Sequence, residues 1–363
     1  MTKEKLFSIK TDKPDEAVRE KAKAKWDALA KPIDGLGDLE DVICRIVSAC
    51  RKADSVTGKK VLIIMCADNG VVSEGISQTG KEVTNEVAAL MGENKSSVGI
   101  MTKDYPIDIM TIDIGIDSDE TPEGVINKKI RKGTRNFLKE PAMTHDEVLA
   151  AIKAGIDSVK ECRSNGAGLI ATGEMGIGNT TTSSALMSVL TGLDAKECTG
   201  RGAGLSDAGL DRKIRVIEDG IALHFGKTDH RGFVSKVDVL NALCCIGGLD
   251  IAGLCGVFIG GAMYHIPIVI DGFISSVSAL TAERLVPGCK DYMIASHMGK
   301  EKGMKIILDE LGLKPVIDAH LALGEGTGAV MMLPMLDMAF NLYNSGTLFD
   351  DTSIEQYERF GGK

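Results

Sequence analysis

The sequence predicts an α/β fold: a Rossmann-like parallel sheet covered by helices, with a smaller helical domain built from the N- and C-terminal segments. Three observations carry that prediction. Runs of strand length rich in apolar residues recur at 61–67, 107–116, 168–172, 266–270 and 292–295. Helical patterns fall between them, at 145–164, 180–190 and 210–225. Strands apolar on both sides and separated by helices belong in a parallel sheet with both faces covered. Third, hydrophobic residues make up 44% of the 363 residues and mean hydropathy is +0.06. That is enough for a large core and excludes intrinsic disorder. Glycine occurs 42 times and aromatics reach only 4%. Without a Gly-X-Y period, and with only 9 Pro, this excess excludes collagen and marks places where backbone turns sharply or approaches something closely.

In chain order, the first forty or so residues are charged and helical in pattern and end at Lys31-Pro32 and Gly35-Leu-Gly37. An amphipathic helix follows from Leu39 to about Ala53, and a turn at Thr57-Gly58 leads into the first strand. The segment 251–270 lacks Asp, Glu, Lys and Arg and is long enough to span a bilayer. It also holds Gly253, Gly256, Gly260, Gly261, His265 and Pro267, and is bounded by Asp250 and Asp271 without flanking basic residues. We therefore expect a buried, glycine-punctuated helix to about Tyr264, then a strand. From Gly299 onward the pattern is helical, with 324–328 as the only break. The expected division is a small helical domain of residues 1–55 plus 305–363 and a large α/β domain of 56–304. No repeat or low-complexity segment is present.

The net charge of −9, with no basic block or basic helix face, disfavours nucleic acid and anionic membrane as partners. The nine Cys include no C-x-x-C pair and sit mostly among apolar residues, as expected of reduced thiols in a cytoplasmic protein. The first residues lack the apolar core of a signal peptide. Six His without metal-ligand spacing lead us to expect no metal and no cofactor.

Ligands of open α/β sheets sit beyond the carboxyl ends of the strands. There the run Gly173-Glu174-Met-Gly176-Ile-Gly178-Asn179-Thr180-Thr-Thr182 matches the P-loop pattern at Gly173, Gly178 and Thr180, but has Asn179 where the lysine belongs. Without that charge a triphosphate site fails. Backbone N–H groups and Thr hydroxyls at a helix start still suit a single phosphate. A second loop, Gly200-Arg201-Gly202-Ala-Gly204, lacks the last glycine of a dinucleotide fingerprint, which argues against a nicotinamide-dependent dehydrogenase. Paired with the first loop, it forms a second wall with Lys213 as its charge. Leu323-Gly324-Glu325-Gly326-Thr-Gly328 opens a helix; its Glu325 is either a favourable dipole partner or a general base. Asp68, Asp271 and Ser296 each follow a strand end. Each could be a turn former, but three on one edge point to a shared site.

Together these segments resemble the nicotinate-nucleotide:dimethylbenzimidazole phosphoribosyltransferase family of cobalamin lower-ligand synthesis. The resemblance runs from Lys31-Pro32 through Asp68-Asn69-Gly70, the two glycine loops, Gly247-Gly248, Asp271-Gly272 and Ser296-His297 to Gly324–Gly328. It implies a homodimer of two-domain subunits that moves phosphoribose from nicotinate mononucleotide to an aromatic base with inversion at C1′. It also implies Glu325 as the general base, assisted by Glu174. Gly176, Gly178, Asn179, Thr180, Gly202, Gly204 and Lys213 would hold phosphate, with Ser77 near the base and Asp68, Asp271 and Ser296 also in the substrate site. Asn69 and Gly299 depart from the residues common in the family, His and Ser, and leave open whether a benzimidazole, a purine or a phenol is accepted. A non-catalytic nucleotide-binding subunit would keep the loops but tolerate loss of Glu325.

Overall fold

The computed structural model describes residues 1–52, 58–226 and 232–359. Ala53, Thr57 and the 55/56 division expected above, and His230 among the six His, lie outside the described residues. Among the described residues the main sheet has six strands: β1 (Lys59–Ala67), β2 (Asp108–Gly115), β3 (Ile126–Asn127), β4 (Ala167–Met175), β5 (Ile268–Ile270) and β6 (Met293–Ala295). They lie in the order β3-β2-β1-β4-β5-β6, and every pairing is parallel. This is the doubly wound order of the Rossmann fold. Its direction reverses between β1 and β4, so the loops leaving those two strands diverge and open a crevice.

Four of the five apolar runs fall on strands near their expected limits. The exception is β4, which continues past Thr172 because Ile64, Met65 and Cys66 of β1 pair with Gly173, Glu174 and Met175. Glu174 is thus a strand residue, not part of a loop. A larger difference lies near the C-terminus. His297–Gly299 (β7) and Ile317–Leu321 (β8) form a separate parallel pair, where only helix was expected after Gly299. The stretch Ile-Asp-Ala-His-Leu does alternate with a strand's period, but it is short and mostly exposed.

The longer helices that matter here are α1 (Glu16–Ala28), α2 (Asp38–Cys50), α3 (His145–Ser164), α4 (Asn179–Thr191), α5 (Asp207–Phe225), α6 (Leu249–Tyr264), α7 (Phe273–Leu285) and α8 (Thr327–Ser345). Alternate residues of β1 feed two cores. Ile63 and Met65 join the layer containing α3, α4, α6 and α7, while Leu62, Ile64 and Cys66 join that of α1, α2 and α8. In the second layer the two chain ends meet: the rings of Trp26 and Tyr343 lie 5.2 Å apart, and Leu29 bridges Leu348.

The uncharged segment becomes α6 followed by β5, as expected, and among the described residues no helix is long and apolar enough to cross a membrane. Its glycines let two backbones touch. A Cβ on Gly155 would overlap the backbone of Gly253, and one on Gly256 would overlap that of Ile152. All nine cysteines are free thiols, most of them buried.

Candidate active site

The crevice between β1 and β4 is built from glycine-bearing turns. Gly178 takes φ +90° as the cap of α4, a left-handed conformation that glycine adopts without steric cost. The first turn of α4 therefore begins at Asn179 directly above the strand end. Opposite it, Gly202 takes φ +52° and Gly204 φ +98°, and Gln78 Nε2 donates to the Gly204 carbonyl. Ser77, Gly176, Gly178, Asn179, Thr180, Gly202 and Lys213 are among the residues lining a cavity of about 90 Å³ between these walls. Lys213, on α5, is only 1% exposed. Its Nζ donates to Thr180 Oγ1 at 2.8 Å and to the Gly200 carbonyl at 3.3 Å. Burial pulls its pKa down to about 8, with Glu301 acting in the opposite sense. A lysine held in a small pocket beside helix-start amides and a threonine hydroxyl is a receptor for one compact anion.

A second cluster, of acids, lies on the other side of Asn179. Asn179 Nδ2 donates to Glu174 Oε2 and, at 3.0 Å, to Asp250 Oδ2. Both carboxyls are buried. Burial first, and then the neighbouring charge of Asp250, pushes Glu174 up to about 8; burial likewise lifts Asp250 to about 6. The shift favours the protonated form of Glu174, which can donate as well as accept. Its Oε1 lies 3.0 Å from where a Cβ on Gly324 would stand, which brings it against the loop carrying Glu325. Glu325 itself adopts φ +60°, a conformation that costs an L-residue roughly 1–2 kcal/mol. Its Oε2 accepts the Val98 N–H at 3.1 Å, and the residue remains partly exposed. A non-glycine residue held left-handed between two glycines, with its carboxylate anchored by a distant amide, is a placed group. The dipole-partner role alone does not call for such a geometry.

Three of the expected residues turn their side chains elsewhere. Asp68 Oδ2 accepts the Asp117 N–H at 2.7 Å, and the residue borders a separate acidic cleft with Lys81, Asn85 and Glu120. Ser296 donates to the Ile270 carbonyl at 2.6 Å and meets His297 Nδ1 at 2.9 Å. Asp271 accepts the Ala329 N–H at 2.9 Å. Sequence reasoning missed Asp250 as a site residue, having read it only as the boundary of an uncharged stretch. The signal was its place in the first turn of a helix capped by Gly248, the same arrangement that marked Asn179. Val98 acts through its backbone and left no signal. Among the described residues no group of three or more His, Cys, Asp or Glu is arranged to hold a metal ion.

A family model described as phosphoribosyltransferase matches residues 11–354. The chain belongs to this phosphoribosyltransferase family. Relatives named nicotinate-nucleotide–dimethylbenzimidazole phosphoribosyltransferase include one from Clostridium acetobutylicum, 43% identical over 95% of this chain and 96% of its own length. Another, from Acetivibrio thermocellus, is 43% identical over 92% of each. Among solved structures, CobT from Thermus thermophilus is similar at 31% identity with a TM-score of 0.86, covering 94% of this chain and all of that one. A phosphoribosyltransferase needs a phosphate receptor next to acid–base groups, and the two clusters flanking Asn179 have those chemistries.

Proposed function

We propose that this phosphoribosyltransferase moves the phosphoribosyl group of nicotinate mononucleotide to dimethylbenzimidazole or a related lower-ligand base, giving an α-riboside 5′-phosphate and nicotinate. The observation that carries the reading is the junction at Asn179, where a buried lysine cradle and a carboxyl cluster meet across one helix start. In this scheme the 5′-phosphate occupies the cavity among Gly176, Gly178, Asn179, Thr180, Gly202 and Lys213, Gly204 shapes the loop from outside the lining through the Gln78 contact to its carbonyl, and Ser77 borders the incoming base.

Glu325 takes the N–H proton of the benzimidazole. The opposite ring nitrogen then attacks C1′ as the bond to nicotinate breaks. That bond's electron pair returns to the pyridine nitrogen, discharging the pyridinium, and C1′ inverts from β to α. Holding the reactants in line supplies most of the acceleration for such an oxocarbenium-like centre, and proton removal adds about 10²–10⁴-fold. Glu174, held protonated, hydrogen-bonds in the same space without adding charge. No step calls for a cofactor.

The same reading has the chain act as a cytoplasmic homodimer, with 1–55 and 305–363 as its small domain. The test is incubation with nicotinate mononucleotide and a panel of benzimidazole, purine and phenolic bases while released nicotinate is followed. Release with at least one base is expected; none with any base would overturn the proposal, and nucleotide binding without release would favour a silent subunit.

A further inference from the structure

Helix α8 begins immediately after the loop that carries Glu325, and its own cap, Gly326, has no side chain to receive the amides of the first turn. Such orphan N–H groups need an acceptor when buried. Here the acceptor comes from a distant part of the chain. Asp271, at the carboxyl end of β5 and only 3% exposed, accepts the Ala329 N–H at 2.9 Å, with the amides of Gly328 and Gly272 also directed to it. Its own N–H lies 3.3 Å from both Thr172 Oγ1 and Ser275 Oγ. Thr172 and Ser275 are hydrogen-bonded to each other at 2.6 Å, so the main chain that carries the carboxylate is braced by β4 and α7.

Around this contact the loop has no slack. A Cβ on Gly328 would overlap the His297 ring, one on Gly326 would lie 2.6 Å from Leu62 Cδ1, and one on Gly173 would lie 2.7 Å from the Glu325 carbonyl. The backbone from Glu325 to Ala329 is thus referred to the sheet.

We propose that Asp271 is a positioning residue for Glu325, fixing the left-handed backbone of the base by gripping the amides just beyond it, and that it does not itself touch substrate. The proposal rests on Glu325 acting as the base. A buried carboxylate that already accepts a backbone N–H presents little to a ribose or a nicotinate. A base on a loop freed at one end, by contrast, loses its alignment with the proton it must take.

The test compares Asp271→Ala, Asp271→Asn, Glu325→Gln and the double variant Asp271→Ala/Glu325→Gln in the full-length protein. Misplacing a reacting group by about 1 Å costs about 10²-fold, so Asp271→Ala should lower kcat by roughly 100-fold. Its Kd for nicotinate mononucleotide, measured by titration without acceptor base, should stay within about twofold. Asp271→Asn keeps an oxygen for the Ala329 amide and should recover at least about tenfold of that loss. The double variant should be no more than about threefold slower than Glu325→Gln, because residues that act as a unit are not additive. Amide hydrogen exchange at Gly328 and Ala329 should accelerate in Asp271→Ala.

Equal losses in nucleotide affinity and in kcat would overturn the proposal, as would losses that multiply in the double variant. Exchange that stays slow in Asp271→Ala would also refute the clamp, and that readout holds whether or not the wild-type protein releases nicotinate. Absence of release from the wild type would instead refute the reaction assigned above.

Discussion

Asn179 and Thr180 are neighbours in the first turn of α4, yet they face opposite chemistries. Successive helical residues point about 100° apart, and that rotation separates the two halves of the site. Thr180 receives the Lys213 ammonium at 2.8 Å, whereas the Asn179 amide divides its two N–H groups between Glu174 and Asp250. One half is cationic and made of backbone, hydroxyl and a single lysine. The other is acidic, and burial pushes both of its carboxyls toward the protonated form. An uncharged asparagine between them insulates the lysine from the carboxyls, where a P-loop lysine would have formed an ion pair with them. On the function proposed above, this arrangement offers a cation to phosphate and a carboxyl cluster to the acceptor without either neutralising the other.

The sharpest way to break the comparison is at the base. Glu325→Gln should lower kcat by about 10²–10⁴-fold while leaving titrated nucleotide affinity nearly unchanged. A loss shared equally with Kd would show that the acidic half also binds the nucleotide.

Next in size is the cationic half. Truncating one partner of a buried charge-assisted contact costs about 2–5 kcal/mol, so Lys213→Met should raise KM for nicotinate mononucleotide by roughly 100-fold and change kcat much less. Inorganic phosphate, tested as a competitor of nucleotide binding, should lose its effect in this variant.

The pH dependence separates the halves within one protein. Lys213 lies below its usual value, near 8, so it is charged below that pH and neutral above. Nucleotide affinity should fall as pH rises through about 8. Glu174 lies above its usual value, also near 8, so it is neutral below and ionised above. It should contribute a decline in kcat over the same range. In Glu174→Gln the decline in kcat should disappear while the loss of affinity remains. If both vanish together, the two groups titrate as one and the insulation by Asn179 is incomplete.

The smallest expected effect is steric. Gly202 has φ +52°, and a Cβ there would lie 3.1 Å from Thr180 Oγ1. Gly202→Ala should weaken nucleotide binding by about tenfold, the equivalent of the roughly 1–2 kcal/mol that the left-handed conformation costs alanine, with kcat retained.

Much of this was readable in the sequence, and the reasons differ by region. The strands were legible because both faces of the sheet are covered, which leaves runs such as Val-Leu-Ile-Ile-Met-Cys-Ala with no polar interruption. Gly178, Gly202 and Gly204 were legible because positive φ selects for glycine. The β7–β8 pair was not, since a five-residue exposed strand carries only a faint alternation. Side-chain direction was the other gap. Asp68, Asp271 and Ser296 do follow strand ends, but position along a chain does not say which way a carboxylate turns, and each meets protein groups. Asp250 escaped notice for the opposite reason, because its partner is a side chain 71 residues away.

The close passage of α6 along α3 has a further consequence. Two helices whose backbones touch at Gly155, Gly253 and Gly256 have no room to slide, because any shift drives main chain into main chain. Asp250 stands in the first turn of that fixed helix, so the acid cluster is tied to a seam that cannot slide. Adaptation to a new acceptor is then channelled to loops such as the one bearing Ser77, where substitution leaves the α3–α6 seam untouched. Lineages sharing this fold should vary there first, keeping one chemical apparatus while exchanging the molecules it serves.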